Sequence, residues 1–163
     1  NSISSFKITA NGDELSLKST VPSGGMRPVS ITVHGNIVYV LNAGGNGNIS
    51  GFKLNNNNQL TAIPNSTRPL SSTTAGAAQI SFVNNGKVVA ITEKATNKII
   101  TYTINEWGIP GMFHSINSST ATPFGFDAGN SGNIFVSEAA GGAAGASKLS
   151  SYHINNEVYE YNP

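Results

Sequence analysis

The sequence predicts an all-β protein built from four-stranded antiparallel sheets. Three observations support this: one short strand pattern recurs four times, turn residues follow each copy, and no segment has the 3.6-residue periodicity of a helix. Short strands that repeat in sets every 46 to 50 residues are typical of β-propeller blades. We therefore expect about three and a half blades, and hence a partial propeller.

The recurring segment alternates apolar and polar residues, as a strand with one buried face does. Its aromatic residue returns after 46, 50 and 50 residues. The four copies are ISSFKI (Ile3–Ile8), ISGFKL (Ile49–Leu54), IITYTI (Ile99–Ile104) and LSSYHI (Leu149–Ile154). Asn-rich turns follow, and Asn tolerates the positive φ that tight hairpins need.

A second repeated segment precedes the later three copies and has the pattern strand, turn, strand. It occupies Arg27–Ala43, Ala78–Ala95 and Thr122–Ala140. Its second strand is a nearly continuous apolar run (IVYVLN, VVAIT, IFVS), which suits a strand covered on both faces. With a weaker fourth strand, such as LTAI after Gln59, each blade has four strands, here called A to D in chain order.

We predict one partial propeller over 1–163. It comprises the end of one blade at 1–20 and blades at 27–66, 78–117 and 122–163. Propellers close with about four to eight blades, because an open end exposes an apolar sheet face and a free edge. We therefore expect either a second copy or the remaining half of the propeller as a partner. The chain opens with strand character at Asn1, so we expect processing or excision from a longer protein.

The composition argues against two classes of partner. Nine basic and eight acidic residues are scattered along the chain, which gives no footprint for nucleic acid. No apolar run approaches the roughly 18 residues of a membrane span. The polar surface must come from amides and hydroxyls, including 21 Asn, which favours a secreted or periplasmic protein. Asn48, Asn65 and Asn117 begin glycosylation sequons, although an Asn-rich chain produces these by chance.

Several motifs resemble those of a known family. The segments ITEKATNKIITYTI and TPFGFDAGNSGNIFVSEAAGGAAGASKLSSYHI resemble the lactonase-like seven-bladed β-propellers, relatives of 6-phosphogluconolactonase and carboxymuconate cyclase. The segment RPVSITVHGNIVYVLNAGGNGNISGFKL is similar to an earlier blade of that family. The resemblance implies a parent of about twice this length. Catalytic members carry a His beside the Pro that opens strand A, whereas Arg27 precedes Pro28 here.

Blade topology places the candidate site residues on one rim. The D–A connections and B–C loops emerge together on what we call the upper rim, and the A–B and C–D hairpins emerge on the lower rim. The candidate ligand-binding residues of the upper rim are Arg27, Asn42, Glu93, Lys94 and Glu138. Of these, Asn42, Glu93 and Glu138 end three successive strands B.

Two roles are open for these side chains. Glu93 or Glu138 could act as a general base with Arg27 stabilising an oxyanion, or the rim could bind a polar ligand. Alternatively, each acid caps loop N–H groups or pairs with a base such as Lys94. The repeated position favours the structural role. We expect no cofactor, and no metal because the three His residues lack ligand-like spacing.

Three functions follow as hypotheses. The first is a non-catalytic scaffold that binds a small polar ligand or a protein through the upper rim. The second is a lactone hydrolase or cycloisomerase, active only as a complete propeller. The third is a surface protein that self-associates through its open blades. Trp107 is the only Trp, and we expect it to pack against a neighbouring blade.

Overall fold

A computed structural model describes residues 1–129, 132–154 and, by backbone alone, 158–160. The described residues form fifteen strands and one 3₁₀ turn at Ala140–Gly142, and they include no α-helix. The strands are β1 (Ser2–Ile8), β2 (Leu15–Pro22), β3 (Met26–His34), β4 (Ile37–Gly44), β5 (Asn48–Leu54), β6 (Leu60–Ala62), β7 (Arg68–Pro69), β8 (Ala77–Val83), β9 (Val88–Glu93), β10 (Lys98–Ile104), β11 (Pro110–Asn117), β12 (Pro123–Ala128), β13 (Asn133–Glu138), β14 (Lys148–Ile154) and β15 (Val158–Glu160).

The strands form four antiparallel sheets in chain order. Sheet 1 contains β1 and β2, sheet 2 contains β3 to β6 with β7 beside β5, sheet 3 contains β8 to β11, and sheet 4 contains β12 to β15. Within sheets 2 to 4, each strand except β7 pairs with its neighbour in the sequence, as the strands of a propeller blade do. The chain is therefore an all-β protein with about three and a half blades, as the sequence predicts. Nothing in the described part is a helix long and apolar enough to cross a membrane.

The second strand of each complete sheet is the most buried. Every residue of β9 is buried, and β4 is buried from Val38 to Asn42. These strands are covered on both faces by the adjacent sheets, which explains why their sequences are continuous apolar runs rather than alternating ones. The core lies between successive sheets, in three apolar clusters.

The repeated aromatic of strand C packs toward the preceding sheet. Phe52 lies in a cluster with Ile3 of sheet 1, and Tyr102 and Tyr152 lie in clusters with residues of sheets 2 and 3. These three rings are 2%, 4% and 0% exposed. Phe6, which has the equivalent place in sheet 1, is 49% exposed because no described sheet precedes it.

Side chains also bridge the innermost strands of successive sheets. Gln79 on β8 accepts a hydrogen bond from the backbone N–H of Phe126 at 3.1 Å and donates one to its carbonyl oxygen at 2.7 Å. At the equivalent place on β3, the Ser30 hydroxyl accepts from the backbone N–H of Ile80 at 3.2 Å. Because each strand A is an edge strand, these bonds satisfy backbone groups that the sheet leaves unpaired.

Both ends of the arc of sheets expose apolar side chains. At the first end, β1 and β2 present two cross-strand pairs, Phe6 with Leu17 and Ile8 with Leu15. At the last end, sheet 4 exposes Phe135 and Leu149. The central sheets bury the positions equivalent to Phe6, Phe135 and Leu149, so these two faces resemble a blade interface in composition.

The expected packing of Trp107 is only partly right. The residue lies in the turn between β10 and β11 and faces a groove shared with Ile63 and Pro64 of sheet 2. The indole is nevertheless 65% exposed. The part of the turn that packs against the neighbouring sheet is Gly108, where an added Cβ would lie 2.8 Å from Ile63 Cδ1.

Candidate functional site

Three polar residues occupy the same place at the upper-rim end of strand B. Asn42, Glu93 and Glu138 pair across their sheets with residues near the start of strand A, which are Pro28, Ala77 and Pro123. Their exposed fractions are 0%, 0% and 1%. Charged side chains are almost never fully buried unless they are paired, so their hydrogen-bond partners define what they do.

Glu138 accepts hydrogen bonds from three hydroxyl groups. Tyr152 Oη donates to Oε1 and Ser150 Oγ to Oε2, both at 2.7 Å, and Ser118 Oγ also donates to Oε1. Ser150 and Tyr152 lie on strand C of the same sheet, whereas Ser118 lies in the D–A connection that arrives from sheet 3. The carboxylate therefore fastens that connection to sheet 4.

These contacts decide the protonation state of Glu138. Burial by itself raises the pKa of the carboxyl group, but hydrogen bonds from Ser118, Tyr152, Ser150 and the backbone of Thr120 more than offset it. The pKa of Glu138 consequently lies below its usual value of 4.5. A carboxyl group with a lowered pKa stays ionised at neutral pH, and its carboxylate has little tendency to take up a proton as a general base would.

Glu93 is also hydrogen-bonded to a serine of the preceding D–A connection, but its other partner differs from those of Glu138. The backbone N–H of Ser71 donates to Oε1 at 2.9 Å, and the Ser71 hydroxyl donates to Oε2. Thr96 Oγ1 donates to Oε2 at 2.6 Å. Ser71 lies in the D–A connection and Thr96 in the B–C loop, so Glu93 joins the two loops that form the upper rim there.

Asn42 also joins the end of strand B to a D–A connection, but it donates a hydrogen bond to that connection where the two acids accept one. Its Nδ2 donates to the carbonyl oxygen of Ser23 at 3.0 Å and to Asn48 Oδ1 at 2.8 Å. Ser23 lies in the D–A connection from sheet 1. The Oδ1 of Asn42 is buried and has no hydrogen-bond partner in the described part of the chain. An amide can donate where a carboxylate cannot, which explains why this connection is held through a backbone carbonyl.

Arg27 is exposed at the start of strand A in sheet 2. Its guanidinium donates from Nη2 to the carbonyl oxygen of Ala43 at 3.0 Å, and its backbone N–H donates to Asn1 Oδ1 at 2.8 Å. Its φ of +53° is unusual for a residue with a long side chain. The side chain is therefore anchored to the end of β4 in its own sheet, and the guanidinium keeps further N–H donors at the rim.

The side chain of Lys94 extends towards sheet 4 and not towards the neighbouring acids, where a pairing was considered. Its Nζ lies 4.7 Å from the centroid of the Phe124 ring, on the first strand of sheet 4. This is a cation–π contact between sheets 3 and 4. The proposed pairing of Lys94 with the neighbouring acids does not occur, because Glu93 is directed to Ser71 and Thr96 instead.

A cleft adjoins Arg27 on the upper rim between sheets 2 and 3. Its volume is about 490 Å³. The lining combines Arg27, the glycines at the end of β4 and in the B–C loop (Gly44, Gly45 and Gly47), and the hydroxyl-bearing residues Ser72, Thr73 and Thr74 of the D–A connection. Glu93 and Glu138 do not line this cleft. The structure therefore separates the accessible cation from the two buried carboxylates.

Among the described residues, acidic and histidine side chains are not grouped into a metal site either. Within the described ranges, no group of three His, Asp or Glu side chains could hold a metal ion. Sequence reasoning missed Ser71 and Ser118, which satisfy the two acids. A signal was present, because a Ser precedes each strand-B terminus by about 20 residues, at Ser23, Ser71 and Ser118.

No family model and no curated protein matches the sequence. Solved structures match it over nearly the whole chain, at 10% to 14% identity, which shows the fold alone. A Lactobacillus plantarum protein matches with a TM-score of 0.72, 13% identity and coverage of 98% of this chain and 50% of that one. The periplasmic gluconolactonase PpgL of Pseudomonas aeruginosa matches with a TM-score of 0.66, 10% identity and coverage of 99% and 50%. A Bacteroides fragilis protein provisionally named a 6-phosphogluconolactonase gives a TM-score of 0.53, 10% identity and coverage of 99% and 63%. The chain thus has the fold of lactonase-like propellers and spans about half to two thirds of their length.

Proposed function

We propose that this chain, which has the fold of about half a lactonase-like β-propeller, is a non-catalytic scaffold that binds a small polar anion at its upper rim. One observation carries the proposal: the two carboxylates at the rim are buried and hydrogen-bonded within the chain, whereas Arg27, on the same rim but apart from them, is exposed. Scaffold residues hold the rim in shape, and Arg27 supplies the contact with the ligand.

The hydrogen bonds of the acids weigh against a catalytic role. A general base must come within hydrogen-bond distance of the proton that it removes, directly or through one water. Glu138 instead faces three hydroxyl groups of its own chain, and Glu93 faces Ser71 and Thr96. Activating water with either acid requires breaking these bonds, which lower the pKa of Glu138.

The cleft beside Arg27 suits a hydroxylated carboxylic acid. Its volume of about 490 Å³ lies within the range of small-molecule sites, roughly 300–1,000 Å³. A guanidinium pairs with a carboxylate through two parallel N–H···O bonds. Ser72 and Thr74 bring hydroxyls that can donate to or accept from sugar hydroxyls, and the glycines let the ligand approach the backbone. An aldonic acid such as gluconate has both features.

We further propose that strands from a complementary half of the propeller, rather than a second copy, complete the ring. In sheets 2 to 4, strand C pairs on both sides, whereas β1 pairs with β2 alone among the described strands. Since β1 is the strand C of its blade, the strand missing from its free edge is a strand B. Each described strand B of this chain is already paired inside its own sheet, so a second copy has none to give. The exposed pairs Phe6–Leu17 and Ile8–Leu15 lie on the face that the preceding blade would cover.

An extracytoplasmic location, secreted or periplasmic, is part of the proposal. It is supported by a surface of amides and hydroxyls rather than charges, with 10% charged residues. One structural neighbour is named as a periplasmic protein.

Calorimetric titration with gluconate, together with a glucono-δ-lactone hydrolysis assay, tests the function. Sheet 2 and the connection that follows it line most of the cleft, and both belong to this chain, so the chain alone is sufficient for the titration. We expect saturable gluconate binding that weakens about tenfold or more in Arg27→Ala, because a charge-assisted hydrogen-bonded pair is lost. Lys87→Ala, which removes an exposed cation from the lower rim, is the matched control and should bind normally.

Two results would contradict the proposal. One is gluconate binding that Arg27→Ala leaves unchanged. The other is lactone hydrolysis by the chain that Glu93→Gln or Glu138→Gln abolishes, which would assign the acids to catalysis. Native mass spectrometry tests the partner separately: we expect a monomer, and a specific dimer at micromolar concentration would favour a second copy.

A further inference from the structure

Trp107 lies outside the upper rim and has no part in the function proposed above. Its side chain is 65% exposed although it is the only Trp of the chain. Indole rings are usually largely buried, because they contribute much of the apolar area that stabilises a core. An indole held in solvent therefore calls for an explanation at the surface.

The turn that carries Trp107 is rigidly held. The Oδ1 of Asn105 accepts from the backbone N–H groups of Trp107 at 3.1 Å and Ile109 at 2.8 Å. Tyr39 Oη, from sheet 2, donates to the carbonyl oxygen of Gly108 at 2.7 Å, in a buried contact. Burial raises the pKa of Tyr39 well above its usual value, so this hydroxyl remains a donor. The turn is thus fixed to the neighbouring sheet, and its indole is presented before any ligand arrives.

A groove runs beside the indole along the outer edge of sheet 2. Its volume is about 660 Å³, and it is formed by residues of sheets 2 and 3 within the described ranges. The apolar part of the lining comes from Ala62, Ile63, Pro64, Trp107 and Ile109. The polar part comes from Lys53, Asn55, Thr61 and Asn65. The lining includes one cation and, among the described residues, no carboxylate.

This arrangement matches the chemistry of a sugar acid. A pyranose ring has an apolar face of C–H groups that can lie on an indole, and its edge carries hydroxyls that bond to amides. The single positive charge of Lys53, with no acid in the lining, adds a preference for an anion. We propose that the Trp107 groove binds an acidic saccharide, with one ring stacked on the indole and its carboxylate near Lys53.

The single Trp makes the test direct, because its fluorescence reports on this groove alone. The probe is trigalacturonate, with maltotriose as the neutral counterpart. We expect a saturable fluorescence change with trigalacturonate at a Kd at least about tenfold lower than with maltotriose, weakening as salt screens the charge. Lys53→Ala should remove this preference, whereas the matched control Lys87→Ala should keep it. Trp107→Ala, whose side chain is exposed, should fold normally and show no binding heat.

Three results would overturn the proposal. The first is the absence of any saturable change with either sugar at tens of millimolar. The second is an equal response of Lys53→Ala and the unmodified chain to trigalacturonate. The third is saturation by a proline-rich peptide but by neither sugar, which would assign the groove to extended peptides. None of these results depends on Arg27, so failure here leaves the upper-rim proposal untouched.

Discussion

The hydroxyl of Tyr152 donates a 2.7 Å hydrogen bond to the buried carboxylate of Glu138. The recurring aromatic and the recurring strand-B terminus of sheet 4 are therefore one hydrogen-bonded unit. In sheet 3 the equivalent Tyr102 donates to the carbonyl oxygen of Pro69 at 2.8 Å instead, and in sheet 2 the equivalent Phe52 has no hydroxyl. The hydroxyl of the recurring aromatic therefore has a different partner in sheets 3 and 4, and sheet 2 lacks this bond.

The Glu138 carboxylate should contribute substantially to stability. Glu138→Gln replaces an acceptor of three hydroxyl bonds by a group that donates from one side. Hydrogen bonds to charged groups contribute roughly 1.5–3 kcal/mol, so we expect the free energy of unfolding to fall by about 2 kcal/mol. Urea denaturation measures this change. Glu106→Gln, at an exposed turn, is the matched control and should change stability by less than about 0.5 kcal/mol.

Acid should remove the advantage of Glu138 over Gln. The pKa of Glu138 in the folded chain lies below 4.5, so its stabilisation is complete above about that pH and is lost as the pH falls through the folded value. Gln does not titrate. The difference in unfolding free energy between the unmodified chain and Glu138→Gln should therefore shrink between pH 6 and pH 3, measured by urea denaturation at each pH. A difference that stays constant or grows would contradict the lowered pKa.

The joint between the inner strands of sheets 3 and 4 should depend on Gln79. Gln79→Met keeps the length of the side chain but removes both hydrogen bonds to the backbone of Phe126. The Phe126 amide should then exchange with solvent faster by at least about tenfold, since it loses its protecting acceptor. Hydrogen exchange followed by NMR measures this. The amide of Ile91 on buried β9 provides the internal reference and should be unaffected.

The architecture of this chain is largely contained in its repeats. Period-two alternation and the recurring aromatic locate strand C, and continuous apolar runs locate strand B, because burial on both faces excludes polar residues there. The equivalence of Asn42, Glu93 and Glu138 also follows from the repeat, and cross-strand pairing places all three opposite the start of strand A.

The contacts that the D–A connections make with the ends of strand B were harder to predict from the sequence. Ser71 and Ser118 lie about 20 residues before the acids that they bind, in connections with no periodicity of their own. Lys94 was expected beside the acids, but the Phe124 ring of the next sheet attracts it instead. The exposure of Trp107 could not be inferred from its sequence neighbours, since Gly108, rather than the indole, fills the space against Ile63.

The central claim is that the buried acids hold the blade connections in place, and a double-mutant cycle between Ser118 and Glu138 tests it most directly. Urea denaturation of Ser118→Ala, Glu138→Gln and the double variant gives the coupling free energy. We predict a coupling of about 1 kcal/mol or more, because contacting residues in one hydrogen-bond network are not additive. Additive effects, with a coupling near zero, would contradict the account and leave the carboxylate of Glu138 free for another role.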